Sequence, residues 1–164
     1  MQTFLTSTNS YECAKSLDSK RLNKQILECY QILNILSNNS PSGAWRNHPA
    51  VLMWKGYEHG LWKYVQSMIH EAKGRGIKTD KNEDNLNSLY NRFSSDWGKH
   101  PQNWWMNQDT VMRIITTHKA NLFKKDPMYY IKYQHATTSP YNTPCCDKCQ
   151  YFWVTHWERN NAGS

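Results

Sequence analysis

Residues 17–33 read LDSKRLNKQILECYQIL, and the spacing of their apolar positions decides the fold. Leu22, Ile26, Cys29, Tyr30 and Leu33 recur at steps of three and four, which predicts one buried stripe along an α-helix. Glu28 lies off that stripe. Arg21, Gln25 and Glu28 share a neighbouring face, with Lys24 one turn before Glu28, so the carboxylate is expected to look out through a basic, amide-bearing surface. Such a face would hold a phosphate chain and set an acid beside it. The other reading is an ordinary amphipathic helix whose Glu28 is solvated and paired with Lys24, the commoner meaning of a charged helix face.

Outward from this helix, 164 residues are the length of one domain with a core of its own. Twenty Lys and Arg against 13 Asp and Glu leave a formal charge of +7, which favours a polyanionic partner, nucleic acid or an anionic membrane surface. No apolar run approaches eighteen residues, and MQTFLTSTNS lacks the basic and apolar regions of a secretory signal, so a soluble intracellular protein is expected. Eight Trp and ten Tyr interleaved with bases suit nucleic acid whose bases are unstacked, although most such rings simply fill cores.

Along the chain, a first helix is expected from Ser10 to about Leu36 with room for a break, stopped by the turn-rich SNNSPSG at 37–43. WRNHP then opens a second long helix, with Pro49 at its first position, and Trp54, Tyr57, Leu61, Val65, Met68 and Ala72 carry it to Gly74 and Gly76. Leu86, Leu89, Tyr90 and Phe93 predict a short third helix, and SSDWGKHPQNWWMN a loop anchored by Trp97, Trp104 and Trp105. A fourth helix starts near Asn107, with Val111, Ile114, Ile115, His118 and Leu122 on one side, and closes before Asp126 and Pro127. The pattern predicts an all-α, single-domain helical bundle over residues 1–133. Residues 134–161 are expected as an irregular aromatic- and Cys-rich extension packed on it, and the closing AGS at 162–164 as a remnant of cloning.

Three further groups bear chemistry. Arg46, Asn47 and His48 gather at a helix start, where free backbone donors favour a phosphate; a cap by Asn47 and a local hydrogen bond by His48 explain them equally well. His118, Asn121 and Lys125 share a face flanked by Lys119 and Lys124, which suits phosphate contact, while lysines near a helix end also complement its dipole with no ligand. Cys145, Cys146 and Cys149 with His156 form a candidate four-ligand zinc set that lacks the second half of a familiar site; plain thiols are the alternative, and Cys13 and Cys29 are read as small core residues.

MQTFL at the start, LDSKRLNKQILECYQIL, WRNHPAVLMWKGYE and HKANLFKKDPMYY, in that order, resemble the pyrimidine-dimer DNA glycosylase/AP lyase family of phage endonuclease V, over most of residues 1–133. The resemblance implies a compact helical domain whose N-terminal arm threads between helices, so that a free α-amine meets a catalytic glutamate. Carried onto this chain, the amine is that of Met1, because the bulky Gln2 leaves Met1 in place, and the glutamate is Glu28. The amine would attack C1′ of the damaged nucleotide and form an imine with the sugar, and β-elimination would then cut the strand. The α-amine class titrates near ~8 and is partly neutral at physiological pH without deep burial.

The implied partner is double-stranded DNA carrying a lesion or modified base, bound by a monomer with no metal. Its contacts would be Arg21, Lys24, Gln25, Arg46, Asn47, His48, His118, Lys119, Asn121, Lys124 and Lys125, with Tyr129, Tyr130 and Tyr133 as aromatics near the DNA. Leu27 and Gln31 stand where the phage enzyme carries arginines beside its glutamate, which predicts different contacts to the lesion. Two other classes fit the same residues: a DNA-binding protein that kept the scaffold without the amine chemistry, and a zinc-stabilised interaction module built around CCDKC.

Overall fold

Asp18 starts the helix that organises the chain. Its carboxylate accepts the Arg21 backbone N–H at 3.3 Å and the Arg21 guanidinium at 3.0 Å, satisfying a donor that the first turn leaves unpaired. Leu17, in extended backbone, ends the preceding helix, so the expected break falls at 17–18 and divides α1 (Ser10–Ser16) from α2 (Ser19–Asn38). In this computed structural model the described residues are 1–38, 43–100, 106–136 and Phe152. Among them are four more helices: α3 (Pro49–Leu52), α4 (Glu58–Gly74), α5 (Asp80–Phe93) and α6 (Gln108–Lys125), and no strand, so the chain is all-α. Trp104, Trp105 and the Cys-rich segment lie outside the described residues.

The chain groups into two units, Met1–Thr3 with Asn9–Gln102, and Phe4–Thr8 with Asn103–Ser164. In the first, α2 packs on α3, α4 and α5, and α1 packs on α4. Leu22, Ile26, Cys29 and Leu33 of the expected stripe are fully buried there, whereas Tyr30 is only partly covered. Burial raises the Cys29 thiol well above its ordinary range, and the charge of the adjoining Glu28 adds to this, so Cys29 is an inert core thiol. The guanidinium of Arg75, just past α4, donates to the carbonyls of Leu17, Ala14 and Lys15 at 2.7–3.3 Å and so closes the C-terminus of α1.

The expected second long helix is two. Gly56 has φ +85°, a conformation that ends a right-handed helix and that L side chains rarely adopt, and it separates α3 from α4. Glu58 secures this corner by accepting the N–H of Gly56 at 3.0 Å and of Gly98 at 2.8 Å. Gly98 is packed against the Gly56 backbone so closely that a Cβ there would overlap the Gly56 carbonyl. Gly98→Ala is therefore expected to cost about 2–3 kcal/mol of stability. Urea unfolding would measure this, and a loss below about 0.5 kcal/mol, the scatter of neutral surface changes, would contradict it. The third helix is also longer than expected, because the polar residues 80–85 are already helical: Asp80 and Glu83 suit the dipole of the first turn, and Thr79 Oγ1 donates to Glu83 at 2.7 Å.

In the second unit α6 is capped by Asn107, whose side chain accepts the Thr110 N–H at 3.0 Å. Its buried side includes Val111, Ile114, Ile115 and Leu122, as the periodicity predicts. Phe152 adds to this core: its N–H donates to Thr117 Oγ1 at 3.2 Å and Arg113 lies 3.9 Å from its ring.

Candidate active site at the amino terminus

Glu28 does not look out to solvent. Its residue is 7% exposed, because the first residues of the chain lie over it. The Gln2 backbone N–H donates to Glu28 Oε2 at 3.0 Å and the Gln25 amide to the same oxygen at 3.2 Å, while Lys24 Nζ stands 3.7 Å from Oε1. Gln25, expected as a DNA contact, is instead buried: it also donates to the Gln2 carbonyl at 2.9 Å and accepts from the Tyr64 hydroxyl of α4 at 2.9 Å. Thr3 is pinned in turn, since Trp54 Nε1 donates to its hydroxyl at 3.0 Å. The arm thus passes between α2 and the α3–α4 corner with both faces hydrogen-bonded. Backbone bond lengths keep consecutive nitrogens within about 3.7 Å, so the Met1 α-amine lies within about 7 Å of Glu28 Oε2.

The electrostatics agree with that placement. His48 titrates below its ordinary range, first because it is partly buried and second because the positive charge of the chain's N-terminus is near. Its Nδ1 accepts the Ala50 N–H at 3.1 Å, so His48, and not Asn47, caps α3, with Pro49 at the first helical position. A neutral imidazole, an ammonium and a carboxylate held by neutral and cationic donors are therefore gathered at one place. Met1 also lines a cavity with Gln31, Asn34, Ile35 and Trp45.

A family model described as pyrimidine dimer DNA glycosylase matches residues 1–85, more than half of the chain, and these residues contain the arm, α2 and the His48 cap. The chain belongs to the pyrimidine dimer DNA glycosylase family. No curated protein and no solved structure matches. Family membership implies a DNA-repair glycosylase, with lesion-bearing DNA as the class of substrate. No helix of the described residues is long and apolar enough to cross a membrane.

The other residues expected at the glycosylase site are distributed unequally. Arg21 is held by Asp18 in a pair of 3.0 Å, whereas Lys24 is largely exposed beyond Glu28. Arg46 and Asn47 line a smaller cavity with Lys55 and Glu58. In the second unit Lys124 and Lys125 are exposed, Tyr129 is 48% exposed, and Lys119 lies 5.3 Å over the partly covered ring of Tyr133. Three expectations are corrected there, because His118 and Asn121 are buried and present no surface to a phosphate, and the buried Tyr130 presents no ring face to DNA. Asn121 donates to the Thr117 carbonyl at 2.8 Å, and His118 Nδ1 accepts the Leu5 N–H at 2.9 Å. Cys145, Cys146, Cys149 and His156 fall outside the described residues, and among the described residues no cluster suits a metal. Sequence reasoning missed Tyr64 and Gln2. Tyr64 was accessible, three residues after Leu61 on the buried stripe of α4, but a backbone N–H such as that of Gln2 carries no residue-type signal.

Burial lowers His118 from 6.5 to about 3, so the folded protein holds it neutral. Between those values the unfolded chain binds a proton that the folded chain does not. This contribution to stability is therefore intact above pH 6.5 and declines as pH falls toward 3, by up to about 1.4 kcal/mol per pH unit. Denaturant titrations at pH 7 and pH 5 should show a smaller acid loss for His118→Asn than for the parent protein. Equal losses would remove His118 as the cause.

Proposed function

We propose that the protein is a DNA glycosylase with AP lyase activity on damaged or modified pyrimidines, working through the α-amine of Met1 and the carboxylate of Glu28. The observation that carries this reading is the hydrogen bond from Gln2 N–H to Glu28, which keeps the start of the chain at a buried acid.

In this mechanism the amine lone pair attacks C1′, the glycosidic bond breaks, and its electron pair leaves with the base, which takes up a proton. Opening of the sugar at its ring oxygen leaves an imine between C1′ and the amine. Glu28 stabilises the positive charge that develops at the sugar and then removes a proton from C2′; the C3′–O bond breaks and the 3′ phosphate departs. Water hydrolyses the imine and frees the enzyme. Donors from Gln2, Gln25 and Lys24 hold the carboxylate oriented for both tasks. No step requires a metal, and one copy of the chain contains every group used.

Reaching C1′ costs a few kcal/mol of unstacking, which damage itself reduces. Exposed Lys24 beside the acid and the cations at Arg46 and Lys55 suit the phosphates that flank a distorted nucleotide. The test is borohydride reduction during incubation with duplex DNA carrying a pyrimidine dimer or an abasic site. A stable protein–DNA adduct with strand cleavage is expected. Salt-sensitive binding without an adduct or scission would instead identify a DNA-binding protein that lacks the chemistry.

A further inference from the structure

Base release by an amine develops a negative charge that Glu28 cannot meet. As the C1′–N1 bond of the nucleotide breaks, its electron pair passes onto the departing pyrimidine and spreads over N1 and the O2 carbonyl oxygen. A hydrogen-bond donor beside the amine would stabilise that charge. His48 has the required form. The Ala50 backbone N–H donates to its Nδ1 at 3.1 Å, and a backbone N–H can only donate, so Nδ1 carries a lone pair. The proton of the neutral imidazole is therefore on Nε2. Protonating Nδ1 as well would break the cap of α3, so the fold itself selects the neutral donor. His48 also stands at the right place. Its ring is 5.3 Å from that of Trp45, and Trp45 lines one cavity with Met1. Its titration is lowered first by burial and second by the charge of the amino terminus, which is therefore near.

Resting on the amine mechanism, we propose that His48 is a further catalytic residue, whose Nε2–H donates a hydrogen bond to O2 of the pyrimidine as that base leaves C1′. A neutral imidazole holds its remaining proton strongly. It suits a delocalised anion, which needs only a hydrogen bond, and does not suit the alkoxide formed when the sugar opens at its ring oxygen, which needs the whole proton. The bond between the amine nitrogen and C1′ forms and the C1′–N1 bond breaks. His48 keeps its proton throughout, and the released base takes one from water. Glu28 and His48 thus serve opposite charges on the two sides of one breaking bond, the carboxylate at the sugar and the imidazole at the base.

Two variants of the full-length protein separate this role from the cap. His48→Asn keeps a side-chain oxygen for the Ala50 N–H, and Asn is among the best caps, but the side chain is too short to reach the Nε2 position. His48→Gln reaches that position with an amide N–H and gives up the cap. Single-turnover excision of a pyrimidine dimer is compared with cleavage of an abasic site in otherwise identical duplexes, because an abasic site has no base to release. The ratio of excision to abasic cleavage is expected to fall about 10²-fold in His48→Asn, the loss that follows removal of one donor to a developing oxyanion. His48→Gln is expected to keep the ratio within about tenfold of the parent and to show the lower thermal midpoint. A residue that only caps α3 predicts the reverse order, and one that holds a phosphate predicts that both reactions fall together with their ratio unchanged. Either result overturns the inference, as does a parent protein that cleaves abasic DNA but excises no dimer. Failure of the parent protein to cleave or trap abasic DNA is a separate outcome, and it would overturn the amine mechanism together with this inference.

Discussion

Glu28→Gln is expected to lower abasic-strand cleavage by about 10²- to 10⁴-fold, the range lost when a positioned acid–base group is removed. The substitution keeps the shape of the side chain and an oxygen that can accept the Gln2 N–H. It removes the negative charge that faces the sugar and the base that takes the C2′ proton. Because Glu28 is 7% exposed and sits among donors from Gln2, Gln25 and Lys24, the replacement amide turns its own hydrogens toward at least one of those donors. A modest loss of stability is therefore expected alongside the catalytic one, and the thermal midpoint must be measured in the same preparation. A folded Glu28→Gln protein that retains more than about a tenth of the parent rate would show that Glu28 only anchors the arm.

Acetylating the α-amine should abolish the borohydride adduct altogether. An amide nitrogen has no lone pair free to attack C1′ and cannot form an imine, whereas the Gln2 N–H that holds the arm to Glu28 is untouched. The competing nucleophile is Lys24, whose Nζ stands 3.7 Å from the same carboxylate. The two belong to different classes of amine. At neutral pH the α-amine class is neutral to roughly one part in ten and the lysine class to a few parts in ten thousand, a factor of a few hundred in available nucleophile. Peptide mapping of the reduced adduct decides between them: the sugar remnant is expected on Met1, and a remnant on Lys24, or trapping that survives acetylation, would replace the proposed nucleophile.

These two results would fall on residues of different legibility. The α2 stripe could be read from its spacing, since Leu22, Ile26, Cys29 and Leu33 are all fully buried. The same spacing put Glu28 on an open face, and the structure buries it. The helical period states which side chains share a face but not what covers that face. Here the cover is Gln2, 26 residues earlier in the chain, with Gln25 locked from the far side by Tyr64, 39 residues later. His118 shows the reverse error. It lies on the apolar side of α6, and its basic neighbours suggested phosphate contact, yet it serves the backbone of Leu5, 113 residues away. Gly56 likewise looked compatible with a continuous helix until its positive φ divided α3 from α4.

By itself, the amino-acid order determined the helical class, the start of α6 near Asn107 and Pro49 as a helix start, because propensity, capping and periodicity act within a few residues. Only the tertiary structure brought the amino terminus to Glu28, made His48 neutral beside a positive charge and opened a cavity between Gln31 and Trp45. Those features depend on contacts between distant segments, and no local period encodes which distant backbone N–H will reach a given carboxylate.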